Sequence, residues 1–182
     1  MSLLVVSVLL AELGAITAWA LPSDCAFFAE LEQQIDSLLT LGIEVDLILF
    51  HPYDRWGFAN MERQIDHRYI RYIVARLASF SNVWWSLANE FDLLKTKPMA
   101  FWDGIFELIS HEDPWHHLLS IHNWHNPPLH YTSNAHWYDH RNPLITHASI
   151  QPHDLNFIPG WLEHFDKPVV IDESAATKAT WI

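Results

Sequence analysis

The sequence has a single cysteine, Cys25, so it can form no disulfide within the chain and no cysteine-based zinc module. Glycine is also scarce, with 5 in 182 residues, and no glycine-rich turn of the kind that binds a nucleotide phosphate is present. The sequence therefore implies no cofactor. Only 10 Lys and Arg oppose 22 Asp and Glu, for a formal charge of -12. Such a chain repels nucleic acid and anionic membrane surfaces, which favours a neutral or cationic small substrate.

Long hydrophobic runs are lacking too, since no uninterrupted run reaches the roughly 20 residues that a transmembrane helix needs. Residues 1–20 are apolar and end in Ala18-Trp19-Ala20, which resembles a signal-peptide cleavage site. However, no Lys or Arg precedes the run, and Glu12 interrupts it. Residues 1–20 are thus either a signal-like leader or an ordinary buried helix, or the start codon has been placed inside a longer gene. Cytoplasmic and secreted locations both stay open, and residues 21–182 are expected to form a partial catalytic domain.

From residue 25 onward, helical and strand patterns alternate at roughly 30 residues per unit, which is typical of βα crossovers. Polar loop residues follow each predicted strand, as in a parallel α/β protein. The five predicted strands cover residues 45–50, 83–87, 118–122, 144–150 and 169–171. A complete (β/α)8 barrel takes about 250 residues, so the pattern favours a partial TIM barrel. An open doubly wound sheet is the alternative, but it usually carries a glycine-rich first turn.

Two glutamates stand at ends of predicted strands. Glu90 follows the strand at 83–87, and Glu173 follows the strand at 169–171. Carboxyl ends of parallel strands meet on one face of a barrel, where active sites lie. Glycoside hydrolysis with retention of configuration needs two carboxyl groups roughly 5 Å apart. By itself this spacing is a weak signal, because an Asn-Glu pair is more often a solvated loop feature or a helix cap.

The motifs around these glutamates resemble those of a known family. Residues 84–90, Trp-Trp-Ser-Leu-Ala-Asn-Glu, resemble the strand-4 motif of clan-A glycoside hydrolases, and residues 169–173, Val-Val-Ile-Asp-Glu, resemble their strand-7 end. With the loop His-Pro-Tyr-Asp-Arg-Trp-Gly-Phe at 51–58, the chain is similar to the apiosidase-like and collagenase-binding-labelled bacterial glycosidases. The resemblance implies a fragment of the barrel, approximately strands 3 to 7, with no convincing strand upstream of Pro22.

The resemblance also implies a retaining mechanism acting on O-glycosidic bonds of plant or microbial oligo- and polysaccharides. Glu90 would be the acid/base, Glu173 the nucleophile, and Asn89 would bind the hydroxyl next to the anomeric carbon. Other polar or aromatic residues near strand ends are candidate sugar contacts, although each could equally cap a loop or fill the core. These candidates are His51, Asp54, Trp56, His122, Asn123, Trp137 and Gln151.

Two other functions are weighed against this one. The 13 histidines suggest a metal-dependent hydrolase, but no His-Glu-x-x-His helix or repeated ligand spacing is present, so no metal site is assigned. Because an unclosed parallel sheet exposes two edges and an apolar interior, the chain is expected to need the missing barrel segments or self-association. An inactive remnant, or a fragment that only binds carbohydrate, is therefore the second hypothesis.

Overall fold

The computed structural model describes residues 5–9, 25–55, 57–125, 137–152 and 154–171, and it forms an α/β arrangement. Short 3-10 helices at Phe58–Asn60, Phe91–Leu93 and Leu155–Phe157 occupy the loops. The main elements, in chain order, are β1 (Val5–Leu9), α1 (Cys25–Thr40), β2 (Glu44–Phe50), α2 (Arg63–Leu77), β3 (Val83–Ala88), α3 (Met99–Glu112), β4 (Leu119–Ser120), β5 (His122–His125), β6 (Ala148–Pro152), α4 (Ile158–Phe165) and β7 (Val169–Val170).

Every strand pair in the described residues is parallel. One sheet has the order β1-β2-β3-β4 and the other has the order β5-β6-β7, so neighbours in the chain are neighbours in each sheet. Helices connect several of these strands, which is the connectivity of a (β/α)8 barrel. The predicted partial barrel is therefore what the chain forms.

The helices cover one face of the sheet with apolar side chains. In α1 the buried residues Phe28, Leu31 and Ile35 recur at helical spacing. They belong to the same core cluster as Leu47 of β2 and Trp85 of β3, which are partners in the strand register. The opposite face of these strands carries polar groups, since neighbouring residues alternate between faces. This face includes the buried residues Asp46, Ser86 and Ser120.

One strand lies where none was expected. Val5–Leu9 pairs with β2 in a parallel register that runs from Val5 opposite Glu44 to Leu9 opposite Ile48. The prediction that no strand precedes Pro22 is therefore wrong. The physical reason is that a strand buried in a parallel sheet is a short, continuous apolar run, which sequence pattern alone does not distinguish from an apolar leader or a buried helix.

Two predicted strands have different bounds in the structure. The strand predicted at 118–122 is divided at Ile121 into β4 and β5, which belong to different sheets. The strand predicted at 144–150 begins only at Ala148 and runs on to Pro152, which was expected to lie in a loop. Before Ala148, the N–H of Thr146 donates to the carbonyl of Leu119 on β4, and the Lys167 ammonium donates to the carbonyls of Asn142 and Ile145.

A buried ion pair ties the loop that follows β3 to helix α2. Lys97 Nζ lies 2.9 and 2.8 Å from the two carboxylate oxygens of Asp66, and 4.3 Å from the centroid of the Phe101 ring. Burial raises the pKa of Asp66 to about 6, against the opposing effect of the Lys97 ammonium. Because both groups have lost water, each depends on the other, and the segment after Glu90 is held against the helical layer.

Candidate active site

Glu90 stands at the carboxyl end of β3, as the sequence predicted. The backbone N–H of Asn89 donates to the carbonyl of Phe50 over 2.9 Å, extending the pairing of β2 and β3 beyond Ala88. Glu90 then turns into the left-handed region with φ 42° and ψ 53°, and its side chain is buried, with 7% of the residue exposed. A residue with a side chain costs about 1 kcal/mol or more in this conformation. Surrounding contacts must therefore stabilise the turn.

Two hydrogen bonds connect the Glu90 turn to strand β5. The N–H of Glu90 donates to Nδ1 of His122 over 3.1 Å. In the opposite direction, the N–H of Trp124 donates to Oδ1 of Asp92 over 3.1 Å. The turn that contains the candidate acid/base is thus attached to β5 at two points, through the backbone of Glu90 and through the side chain of Asp92.

The bond to Glu90 also determines the tautomer of neutral His122. A backbone amide only donates, so Nδ1 of His122 must accept, and the ring proton lies on Nε2. On the next strand, Ser149 is the register partner of His122. His122, which was predicted to contact sugar, is thus engaged with the backbone of Glu90 through one of its two ring nitrogens.

Asn123 joins the strand to the segment that begins at residue 137. Its side chain is fully buried, and its Oδ1 accepts hydrogen bonds from the N–H of Tyr138 at 3.3 Å and from Nε2 of His140 at 3.0 Å. The hydroxyl of Tyr138 in turn donates to Oδ1 of Asp103 on α3 over 2.6 Å. The carbonyl oxygen of this predicted sugar contact is therefore occupied by protein donors, which anchor residues 137–140 to the sheet and to α3.

His140 makes this anchoring sensitive to acid. Burial, with smaller effects from His147 and Lys167, lowers the pKa of His140 from 6.5 to about 3. As the pH falls through 6.5, the unfolded chain takes up a proton that folded His140 does not. We expect the free energy of unfolding to fall by roughly 1.4 kcal/mol per pH unit from this group, as measured by urea denaturation at pH 6.5, 5.5 and 4.5.

The matched control for this prediction is His140→Gln, whose side-chain amide retains a donor for Asn123 and does not titrate. The variant should lose stability less steeply than the original chain over the same pH interval, because other groups titrate identically in both. Parallel pH dependences in the two proteins would contradict the assignment.

The loop after β2 holds two other predicted contacts. His51 is buried directly after the strand, and its ring centroid lies 6.5 Å from that of Tyr53, which is 60% exposed. Asp54 Oδ2 accepts a hydrogen bond from the N–H of Ala59 over 2.9 Å, so this carboxylate caps the 3-10 turn. The exposed ring of Tyr53 was not among the predicted contacts, although its place in the loop after a strand was a signal for it.

Two further predicted contacts lie on or near the second sheet. Gln151 is on β6, opposite Trp124 of β5 in the register. It is 9% exposed, and no described residue hydrogen-bonds to its Oε1. Trp137 stacks on Phe165 with the ring planes 17° apart and belongs to the apolar cluster around α4. Gln151 thus has a side-chain oxygen without a hydrogen bond from the described residues. Trp137 packs against the apolar cluster around α4.

Glu173 and Trp56 lie outside the described residues, and their predicted roles stay predictions. The described part of the chain reaches Ile171, directly after β7, which pairs in parallel with β6 through Ala148 opposite Val169. Sequence reasoning missed Asp92 and His140 as parts of the site. Asp92 could have been suspected from its place two residues after Glu90, but no local pattern distinguishes His140 among 13 histidines.

Within the described ranges, no group of three or more His, Cys, Asp or Glu side chains is arranged to hold a metal ion. In the same part of the chain, no helix has both the length and the apolar character needed to cross a bilayer.

Comparisons with known proteins identify the family and support the fold. A model of the apiosidase-like catalytic domain family matches residues 15–176. A solved structure named "putative glycoside hydrolase", from Bacteroides vulgatus ATCC 8482, is 43% identical over 79% of this chain, with a TM-score of 0.69. A glycoside hydrolase family 5 structure from the same organism is 14% identical over 81% of the chain, with a TM-score of 0.57, and supports the fold alone. The chain spans 28% and 34% of those two proteins. No curated protein matches it.

Proposed function

The chain belongs to the apiosidase-like catalytic domain family, and on that premise we propose that it is part of a retaining glycoside hydrolase. Glu90 is the acid/base and Glu173 is the nucleophile. The observation that carries the proposal is the placement of Glu90. Its side chain is buried at the carboxyl end of a parallel strand, in a left-handed turn that is bonded to the adjacent strand.

The reaction divides into two displacements. In the first, the Glu90 carboxyl gives its proton to the glycosidic oxygen while the Glu173 carboxylate attacks the anomeric carbon. The bond to the leaving oxygen breaks, and a covalent glycosyl ester forms on Glu173. In the second, Glu90 takes a proton from water, whose oxygen attacks the anomeric carbon and releases Glu173. Each step inverts the anomeric centre, so the product retains the original configuration.

Burial and position suit Glu90 to the acid role. A group that protonates a leaving oxygen must be held within hydrogen-bond distance of it, because misplacement by about 1 Å can cost on the order of 100-fold in rate. Two hydrogen bonds restrain this turn against β5: the N–H of Glu90 donates to His122, and the N–H of Trp124 donates to Asp92. Asn89 immediately precedes it and is half-buried at the same strand end, and in the proposed mechanism its amide binds the neighbouring sugar hydroxyl.

The substrate is a glycoside of plant or microbial oligo- or polysaccharide, bound at the carboxyl face. Four described residues are proposed as sugar contacts. Asn89, His51 and Gln151 provide polar groups, and the exposed ring of Tyr53 offers a flat apolar face for the C–H groups of a sugar. Trp56, in the same loop as Tyr53, is retained from the sequence as a further stacking candidate.

The stereochemical outcome tests the proposal. The chain would be incubated with aryl glycosides of both anomers, including apiosides, in buffer containing methanol, and the methyl glycosides would be examined by NMR. Methanol traps the product in a form that does not mutarotate. We expect the methyl glycoside to have the configuration of the substrate. An inverted product would contradict the double displacement, and sugar binding without turnover across the panel would favour the carbohydrate-binding fragment.

A further inference from the structure

We propose that His122 is a positioning residue that holds the backbone of Glu90 in its left-handed conformation, and that Asp92 completes the attachment from the opposite side. We name Glu90, Asp92, His122 and Trp124 the Glu90 clamp. The inference deepens the proposed function and rests on it for its catalytic consequence. The hydrogen bonds themselves can be tested separately.

The clamp lies where regular strand pairing stops. The register of β3 with β4 ends at Ser86 opposite Ser120. From His122 onward, the chain pairs with β6, beginning with His122 opposite Ser149. The backbone N–H of Glu90 is therefore beyond the last rung of its own ladder. Nδ1 of His122 accepts from it instead, in the place where a strand carbonyl would otherwise serve.

The second bond of the clamp runs in the reverse direction. The N–H of Trp124 donates to Oδ1 of Asp92, so the turn after β3 contributes one backbone donor and one side-chain acceptor, and β5 contributes the same. Both bonds join residues 32 positions apart in the chain. Both bonds lie beyond the β3–β4 register, which ends at Ser86 opposite Ser120, and each uses a side chain as the acceptor.

Because the hydrogen bond from Glu90 to His122 is buried, losing its acceptor is expected to destabilise the turn. His122 is 1% exposed, so water has little access to the Glu90 amide if the imidazole acceptor is removed. A buried N–H without an acceptor costs roughly 1–3 kcal/mol, and the left-handed turn itself costs about 1 kcal/mol or more. Without His122, the turn is expected to relax toward a right-handed or extended backbone, which redirects the Glu90 carboxyl away from the leaving oxygen.

Two substitutions separate this role from a merely structural one. In His122→Asn, the amide oxygen occupies nearly the position of Nδ1 and keeps an acceptor for Glu90. In His122→Gln, the amide reaches the position of Nε2 instead, so the acceptor at Nδ1 is lost while size and polarity are preserved. Urea denaturation of both variants establishes that they are folded before activity is compared.

The diagnostic measurement is the dependence of kcat/KM on the leaving group, because kcat/KM reports the first displacement, in which Glu90 donates its proton. A misplaced acid harms substrates that need protonation of the departing oxygen and spares those that do not. For His122→Gln we expect kcat/KM to fall on the order of 100-fold with an alkyl glycoside and less than about 5-fold with a dinitrophenyl glycoside. His122→Asn should restore most of the loss. Equal losses on both substrates, or no rescue by asparagine, would overturn the proposal.

A double variant tests whether His122 acts through Glu90. If it does, adding His122→Gln to Glu90→Gln should change kcat for the alkyl glycoside by less than about 3-fold, since coupled residues are not additive. Multiplicative losses from the two substitutions would show that His122 acts independently, for example as a direct sugar contact.

A measurement that does not depend on turnover distinguishes failure of the clamp from failure of the proposed function. In the ¹⁵N-labelled chain, an N–H···N hydrogen bond should produce a scalar coupling between the Glu90 amide nitrogen and Nδ1 of His122. The Glu90 carbon shifts should indicate a left-handed residue. His122→Gln should remove that signature and His122→Asn should keep it. If the chain cleaves no glycoside, the enzyme assignment fails. Whether or not the chain is active, the clamp is overturned if the coupling is absent or the Glu90 conformation is unchanged in His122→Gln.

Discussion

Glu173→Ala is expected to lower kcat/KM for an activated aryl glycoside on the order of 10⁴-fold or more, the scale seen when a covalent nucleophile is removed. The reason is that the first displacement has no attacking group once the carboxylate is gone. Even a leaving group that needs no protonation does not compensate. Initial rates with a dinitrophenyl glycoside, measured with enough protein to detect the residual rate, provide the test.

Glu163→Ala is a matched control for this prediction. The same substitution is made in an exposed glutamate of α4, and the rate should stay within about 2-fold, as for an ordinary surface change. Adding azide to Glu173→Ala should yield a glycosyl azide of inverted configuration, because a small external anion attacks once from the vacated side. Undiminished turnover in Glu173→Ala would exclude Glu173 as the nucleophile.

Glu90→Gln is the prediction with the next largest effect, and it has a different signature. With an alkyl glycoside, kcat/KM should fall about 10²–10⁴-fold, the usual contribution of general acid catalysis. With a dinitrophenyl glycoside, the first displacement should proceed nearly as before. Because Glu90 also activates water, the second displacement slows, and the glycosyl ester on Glu173 should accumulate and be visible by intact-protein mass spectrometry.

Glu107→Gln, an exposed position on α3, is the control for loss of a carboxylate elsewhere, and it should leave both substrates unaffected. The two glutamates are then distinguished by the size of the activity loss and by whether the covalent intermediate accumulates. Loss at Glu173 removes the covalent intermediate, whereas loss at Glu90 traps it. A Glu90→Gln variant that loses activity equally on both substrates and accumulates no intermediate would contradict the acid/base role.

The residues that sequence reasoning located well are those whose place follows from short-range pattern. Apolar spacing predicted α1 and α2, and the strand at 83–87 is confirmed within one residue as Val83–Ala88. Glu90 then follows as a strand-end residue. These predictions succeed because hydrophobic period and element length are properties of consecutive residues.

The errors arose where the interpretation depended on distant partners. Val5–Leu9 reads as an apolar leader until β2 is beside it, and Leu119–Ser120 separates from His122–His125 only because the chain changes partner strands. Asn123 and Trp137 stay predicted sugar contacts, but only the fold shows that the Asn123 side chain also accepts from the N–H of Tyr138 and that Trp137 stacks on Phe165.

By itself, the sequence determined that this protein is an alternating α/β chain with a buried-strand pattern leading into Asn89-Glu90, and it predicted the family through that motif. Only the tertiary structure decided what surrounds Glu90, because the bonds that restrain its turn come from residues 32 positions away. Local propensity is set by neighbours along the chain, but an acceptor for a particular buried N–H is set by which strands lie side by side. For that reason His122 could be found in the sequence as a polar residue after a strand, and its attachment to Glu90 could be found only in the fold.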